Sequence, residues 1–558
     1  MPKAAEVIPT IWTTLWSDAN NTGTWRTAIP VYQHRLSPCR LSCPVGGTIP
    51  VWADKLRNCE FYEAWSEIVA NNPFPAVTGR VCHHPCESAC NRSQFDEKVS
   101  IKLLERYLGD LALEKGWPLP EKGLAKKQRV AIIGGGPAGL SAAYQLALRG
   151  YRVEIFEAKQ MPGGLLRYGI PPYRLPREVL DCEIDRLLQL GIQVHTGSAI
   201  NGAEEYRRLQ KDYDALFIAT GARRPRKLHL SGSDFGIVKD GLDLLFQVNS
   251  GSDPKMEKKV IVIGGGNTAV DAARVARRLG AEQVTIVYRR TEAEMPSQES
   301  EILEAREEGV EFLFLASPVR IEKEADNGYR LICQKMRLGE KDASGRPRPE
   351  AVPQAYFPLE ADQIIMAIGS DAVIPDISEQ PALNGSLLKV DEKQETSVEG
   401  IFAGGDLTST ERFVSSALGA GKKAAEHIDQ LWAGSLRNDN SDNYGEEAVT
   451  YKEVNTFYFS RSQAVKNNLL QATERVQNFQ EVQLGISEGQ ALSEAARCFN
   501  CGLCVQCDNC FYFCPDMAVK KGNSGEKEYS ILEQYCKGCG LCVKECPRGA
   551  IVLKEESK

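Results

Sequence analysis

"RVAIIGGGPAGLSAAYQLALRGYRVEIFEA", Arg129 to Ala158, decides how the middle of the chain folds. An apolar run is followed by a glycine turn, a segment with helically spaced apolar residues, and a second apolar run ending on an acid. That order predicts strand, turn, helix, strand, which is half of a doubly wound nucleotide-binding unit. Gly134, Gly136 and Gly139 fit G-x-G-x-x-G. The first two let the backbone turn and approach a pyrophosphate at the helix N-terminus, and the third lets the helix pack on the strand. Glu157 ends the second strand and can accept hydrogen bonds from a ribose. A glycine turn alone is weak evidence; here strand, helix and acid surround it in the required order.

A second copy follows, "KKVIVIGGGNTAVDAARVARRLGAEQVTIVYRR", Lys258 to Arg290, which reads Gly264-x-Gly266-x-x-Ala269. Its second strand ends in Arg289 and Arg290 where an acid would favour a free 2′-hydroxyl. Two guanidinium groups there suit a 2′-phosphate, which favours NADPH over NADH. The alternative is that one or both pair with nearby acids such as Glu292 or Glu294. "YDALFIATGA" (Tyr213–Ala222), "ADQIIMAIGS" (Ala361–Ser370) and "GIFAGGDLTS" (Gly400–Ser409) read as further buried strands ending in turns.

A chain of 558 residues is too long for one core. Its 42% hydrophobic and 25% charged content is that of an ordinary globular protein, and a formal charge of −7 without a long basic block argues against nucleic acid. The opening stretch lacks the order of a secretory signal and no run of about 18 apolar residues occurs, so no membrane span is expected and the cytoplasm is the expected location. Of the 18 cysteines, Cys59, Cys182 and Cys333 stand apart and read as small buried side chains. The other fifteen are bunched at C-x2-C and C-x3-C spacings, which points to metal thiolates rather than disulfides.

The tail carries the most specific pattern. Cys504, Cys507, Cys510 and Cys514-Pro515 are followed by Cys536, Cys539, Cys542 and Cys546-Pro547, two copies of C-x2-C-x2-C-x3-C-P. In such pairs the fourth cysteine of each run serves the other cluster. One 4Fe–4S cube then takes Cys504, Cys507, Cys510 and Cys546, and the other Cys536, Cys539, Cys542 and Cys514. Zinc also uses C-x2-C pairs, but eight thiolates in this order with both prolines favour iron–sulfur.

Over residues 35–432 the chain resembles the small subunit of NADPH-dependent glutamate synthase, on "GGGPAGLSAAYQLALRGYRVEIFEAKQMPGGLLRYGIPPYRLP", "GGGNTAVDAARVARRLGA", "YRRTEAEMP" and "GIFAGGDLTS". Similar modules occur in dihydropyrimidine dehydrogenase and NADH-dependent ferredoxin:NADP oxidoreductase, and the tail resembles two-cluster ferredoxins. The resemblance implies FAD at Gly134, Gly136, Pro137, Ala138, Gly139, Glu157, Ala158, Gly164, Leu165, Arg167, Gly221, Gly405 and Asp406. It implies NAD(P)H at Gly264, Gly266, Asn267, Thr268, Arg289 and Arg290. The family opens its iron–sulfur region with a C-x2-C pair that is missing before Cys39 here; Cys39, Cys43, Cys82, Cys86 and Cys90 remain, and "EAARCFNCG" near the C-terminus has the flavour of the missing opening. The expectation is that Cys498 and Cys501 fold back to complete a cube with Cys39 and Cys90, while Cys43, Cys82 and Cys86 hold another whose fourth ligand is Glu105. The rival is that Cys498 and Cys501 are spare thiols. His83 and His84 read as loop residues near a cluster.

The expected architecture is multidomain: an N-terminal α-helical iron–sulfur domain (1–127), an α/β FAD domain (128–240 and 367–433) with an NAD(P) domain inserted (241–366), a linker (434–490) and an α+β ferredoxin-like domain (491–558). The expected activity is hydride exchange between NAD(P)H and FAD, with single electrons passing through four 4Fe–4S clusters, at least three, to other subunits of a redox complex or to ferredoxin. No side chain is expected to act as acid or base, because the cofactors carry the chemistry. The partner expected first is a 2-oxoacid:acceptor oxidoreductase. Alternatives are a glutamate synthase small subunit, a stand-alone NAD(P)H:ferredoxin oxidoreductase and a non-catalytic iron–sulfur sensor or scaffold.

Overall fold

The protein is described from a computed structural model covering residues 22–324, 328–342, 345–377, 381–433, 447–522 and 529–556. The strand opened by RVAII, Arg129–Ile133, lies at the centre of a five-stranded parallel sheet in the order Ile401–Ala403, Ala215–Ile218, Arg129–Ile133, Arg152–Phe156, Gln193–His195. Its unbroken apolar run is explained by burial on both faces, the condition under which parallel strands lose the alternating pattern. The helix Pro137–Leu148 is buried along nearly its whole length between this sheet and the helix Val414–Ala433. That crossing is tight: a side chain at Gly421 would overlap the Ala138 carbonyl.

The second glycine copy builds a second five-stranded parallel sheet, in the order Val310–Phe314, Gln283–Tyr288, Lys259–Ile263, Gln363–Met366, Val238–Asp240. All of it lies between two strands of the first sheet, so one nucleotide fold is inserted in the other. The strand Val238–Asp240 falls just before the boundary expected at 241. A three-stranded antiparallel sheet, Ala316–Lys323, Tyr329–Lys341 and Pro347–Glu360, is spliced in ahead of Gln363–Met366.

The N-terminal region is helical: Ile49–Arg57, Phe61–Val69, Pro75–Val81 and Ile101–Lys115. Pro75–Val81 and Ile101–Lys115 cross so closely that side chains at Gly79 or Gly109 would overlap the opposite backbone. Two features lie outside the expected boundaries. Ala28–Tyr32 pairs antiparallel with Ile551–Glu555, so a strand from the start of the chain is an edge of the tail. The helix Glu488–Ala496 buries Ala491 and Ala495 against Trp52, Leu56 and Leu104, inside the N-terminal helical layer.

The linker expectation holds no uniform stretch of chain. Residues 434–446 lie outside the described residues, as do residues 1–21. Residues 447–490 are docked, not loose. Val449 donates to the Leu36 carbonyl, Ser100 to the Val465 carbonyl, and Val482 to the Tyr173 carbonyl. Arg475 pairs with Glu307, and Glu481 with Arg80 and Arg106. The stretch looks like a linker in sequence because it has no core of its own; its polar groups are satisfied by the domains it crosses.

Candidate functional site

At the carboxyl end of Arg129–Ile133, Gly134 turns the chain at φ +109°, and a Cβ there would overlap the Ala219 carbonyl oxygen. Gly136 caps the helix that Pro137 and Ala138 open, and beside it only the Gly164 Cα, at 3.8 Å, approaches a would-be Cβ. Gly139 sits against the Gly134 carbonyl, too close for any side chain. Glu157 is buried with both carboxylate oxygens accepting backbone N–H groups, Gly135 at 2.7 Å and Lys159 at 2.8 Å. Each oxygen keeps a lone pair for a ribose hydroxyl. Ala158 is half-buried beside it. The Gly163–Gly164 loop folds onto the same turn, Gly163 donating to the Gly135 carbonyl at 2.7 Å, and Leu165 begins the short helix that follows.

Gly221, at φ +71°, faces open space, and the buried Thr220 hydroxyl next to it has no hydrogen-bond partner. Gly405 abuts Ala138, and burial pushes the neighbouring Asp406 carboxyl up to about 6 against the pull of Arg412. A glycine-floored cradle, an unanswered hydroxyl and two carboxyls at the ends of parallel strands fit a dinucleotide. Arg167 is less free than expected: its guanidinium donates to the Pro162 carbonyl at 2.6 Å and pairs with Asp181.

The second cradle repeats the geometry. Gly264 turns at φ +148° against the Ala367 carbonyl, a side chain on Gly265 would enter the Tyr288 ring, and Gly266 caps the helix Asn267–Arg278. The helix N-terminus with Thr268 in its first turn presents an electropositive end suited to phosphate. Asn267 is fixed from both sides: its Oδ1 accepts the Gln298 N–H at 3.4 Å and its Nδ2 is 2.9 Å from His83 Nε2. His83, read only as a loop residue, thus joins the iron–sulfur domain to this turn, a long-range contact no local pattern announces.

The two arginines separate. Arg290 is buried, donating to the Pro347 carbonyl at 2.8 Å and pairing with Asp342 at 2.7 Å, residues that open the strand Pro347–Glu360 and follow the strand Tyr329–Lys341. Glu292 and Glu294, the acids weighed from sequence, pair with Arg306 and Thr291 instead. Arg289 is exposed, and among the described residues no ion pair engages it.

The thiols gather into four groups. Cys39, Cys90, Cys498 and Cys501 line one cavity walled by Ile49, Trp52 and Leu104. Burial first, then mutual repulsion, pushes the Cys501 thiol up to about 12. Cys43, Cys82, Cys86 and Glu105 line the next cavity, which shares Ile49, Trp52 and Ile101 with the first. Burial raises the Glu105 carboxyl to about 7, opposed by hydrogen bonds from Asn72, at 2.9 Å, and Thr78. His84 lines this cavity too, with its Nε2 buried and without a partner.

In the tail, Cys514, Cys536, Cys539 and Cys542 line a third pocket with Pro30 from the N-terminal strand. Cys504, Cys507 and Cys546 are the electrostatic neighbours that add to burial in raising Cys510 to about 11. This is the crossed arrangement in which each run lends its fourth cysteine to the other group. All these cysteines are free thiols. Among the described residues no three Cys, His, Asp or Glu groups converge on a single-ion site; the corners of a cubane stand farther apart. Three groups of four thiols and one of three thiols with a carboxyl, buried among apolar side chains, fit 4Fe–4S clusters.

Residues 128–424 match the family of pyridine nucleotide-disulphide oxidoreductases. Residues 28–117 match dihydropyrimidine dehydrogenase domain II with its 4Fe-4S cluster, and residues 529–552 match the 4Fe-4S binding domain. The chain is 37% identical to the NADP(+)-dependent formate dehydrogenase subunit beta of Moorella thermoacetica over 83% of its own length and 70% of that protein. It is 36% identical to the NADPH-Fe(3+) oxidoreductase subunit beta of Geobacter sulfurreducens, over 83% of this chain and 75% of that one. With the small chain of NADPH glutamate synthase from Azospirillum brasilense the identity is 33%, over 70% of this chain and 85% of that protein. Among the described residues no helix is long and apolar enough to cross a membrane. The chain belongs to the pyridine nucleotide-disulphide oxidoreductases, as an FAD- and NAD(P)H-linked oxidoreductase that carries 4Fe–4S domains at both ends.

Proposed function

We propose that this chain is the NAD(P)H-facing electron-transfer subunit of a cytoplasmic redox complex, with four 4Fe–4S clusters between its flavin and its partner. FAD, when bound, takes up a hydride and releases electrons singly, which is what a nicotinamide and an iron–sulfur cluster together require. The chain's part is to hold distance, charge and dryness. Gly134, Gly136, Gly139, Glu157, Gly405 and Asp406 are proposed to hold FAD. Gly264, Gly266, Asn267, Thr268 and the exposed Arg289 are proposed to hold NADPH, with Arg290 bracing the loop beneath it.

The observation that carries the proposal is the cavity shared by Cys39, Cys90, Cys498 and Cys501. It adjoins the cavity of Cys43, Cys82, Cys86 and Glu105, across Ile49, Trp52 and Ile101, on the side of the flavin fold. On its other side Cys501 is three residues from Cys504, the first thiol of the tail. Thiol groups therefore follow one another from the flavin fold to the tail, which supports ligand roles for Cys498 and Cys501 over their reading as spare thiols. Relatives named as beta subunits of a formate dehydrogenase and an Fe(3+) oxidoreductase support membership of a complex. The proposed partner is a subunit that oxidises or reduces its own substrate and trades electrons one at a time, a 2-oxoacid:acceptor oxidoreductase among the candidates, with formate and Fe(3+) added by the relatives' names.

The test is iron and acid-labile sulfide per FAD on anaerobically purified protein, beside a Cys498→Ala/Cys501→Ala variant. About 16 iron atoms, falling to about 12 in the variant with the tail clusters intact, is the expected result. About 12 in both would sink the four-cluster reading.

A further inference from the structure

The buried arginines around the thiol groups are, with one exception, neutralised. Arg92 pairs with Asp96, Arg497 with Glu494 and Asp96, and Arg35 with Glu453. Arg548 is 8% exposed and has no carboxylate partner among the described residues. Its Nη1 donates to the carbonyls of Phe499, at 2.7 Å, and Cys498, at 3.3 Å; its Nε is buried without a partner; and its guanidinium lies 4.7 Å from the centre of the Phe459 ring. The nearest charges beyond it belong to the Arg57–Asp54 pair, which is already neutral overall.

A buried cation is costly unless an anion faces it. Carbonyl dipoles and a ring face offset part of that cost, but neither carries a full negative charge. What stands on either side of Arg548 is thiol. Its side chain is fastened to the carbonyl of Cys498, in the group of Cys39, Cys90 and Cys501, and its backbone N–H is directed at the sulfur of Cys546, in the group of Cys504, Cys507 and Cys510. A cubane held by four thiolates is a net anion in both oxidation states and gains one more negative charge on reduction. A fixed cation beside it therefore favours the reduced form more than the oxidised one.

We propose that Arg548 is a positioning residue for charge: it is the counter-ion shared by the Cys39/Cys90/Cys498/Cys501 cluster and the Cys504/Cys507/Cys510/Cys546 cluster, and it raises the reduction potentials of both. This rests on the ligand assignment proposed above, which the wild-type iron count tests separately. The other two groups lie by different cations, Arg26, paired with Glu556, at Cys536, and Lys422 and Lys102 at Cys43 and Cys82, so a change at Arg548 leaves their charge surroundings as they are.

The experiment compares Arg548→Met, which removes the charge at similar volume, with Arg548→Lys, which keeps it while losing the planar donor fork. Each is purified anaerobically, assayed for iron, and titrated electrochemically with EPR detection of the individual clusters. The expected result is a fall in the potentials of two clusters in Arg548→Met, the other two unmoved, with Arg548→Lys close to wild type. Iron loss in the Met variant alone, with a loaded Lys variant at wild-type potentials, supports the same assignment of charge. Met and Lys variants that behave alike would overturn it, whether both shift, both stay, or both lose iron. Arg548 would then act only by bonding the Cys498 and Phe499 carbonyls.

Discussion

Replacing Arg289 by alanine should change which nicotinamide nucleotide the protein uses, whereas replacing Arg290 should not. Arg289 is exposed at the end of the strand Gln283–Tyr288 and unpaired among the described residues, so its guanidinium is available to a 2′-phosphate. Arg290 is already spent on Asp342 and the Pro347 carbonyl. A hydrogen bond to a charged group contributes roughly 1.5–3 kcal/mol, and exposure places Arg289 at the lower end, about 1.5 kcal/mol. That is roughly a tenfold loss of kcat/KM for NADPH. NADH has no 2′-phosphate and should be used as before, within about twofold by the same reckoning. Arg290→Ala should instead cost about 2 kcal/mol of stability by leaving a buried carbonyl and a carboxylate without their donor. The assay is steady-state reduction of a one-electron artificial acceptor with each nucleotide, alongside thermal unfolding. A selectivity ratio unchanged in Arg289→Ala, or changed only in Arg290→Ala, would refute the division of labour.

Other expectations follow from contacts already described. Gly139→Ala forces a methyl into the Gly134 carbonyl and should abolish flavin binding, read as the flavin released per chain on denaturation, by its fluorescence. Arg274, fully buried among Glu301, Glu304 and Glu308, holds three carboxylates together; Arg274→Ala should destabilise the second nucleotide fold by about 3–5 kcal/mol, measured by denaturant unfolding. Glu183 accepts the Ala76 and Val77 N–H groups, and burial lifts its carboxyl to about 8, above the unfolded value of about 4.3. The folded state then holds the extra proton, so this contribution is complete below about pH 4 and is lost as pH rises through about 8. Glu183→Gln should flatten that part of the pH dependence of the unfolding temperature, and an unchanged profile would show the carboxyl is ionised throughout.

The parts of this molecule that were legible in its sequence are those whose signal is local. Gly134, Gly136 and Gly139 advertise a turn within six residues, and the tail cysteines carry their spacing with them. The grouping of Cys498 with Cys39 was legible only because a familiar opening was missing at one end and present at the other. What sequence did not disclose depends on partners far away in the chain. The acid that takes up Arg290 is Asp342, not the neighbouring Glu292 or Glu294. His83 meets Asn267 across a domain boundary, and residues 447–490 acquire their order from surfaces they do not themselves contain. In each case the residue type was compatible with several environments, and only the fold chose among them.

The pairing of Ala28–Tyr32 with Ile551–Glu555 also has a meaning in time. Ala28–Tyr32 is translated more than 500 residues before the strand it pairs with. The helix Glu488–Ala496, which covers Trp52 and Leu56, is nearly as late. The nucleotide folds can close while synthesis is still under way, but the N-terminal helical layer and the tail must wait for one another. Until Ile551–Glu555 is made, Ala28–Tyr32 is an unpaired edge, and until Glu488–Ala496 is made, Trp52 and Leu56 are an uncovered apolar face, so both are exposed to wrong partners for most of synthesis.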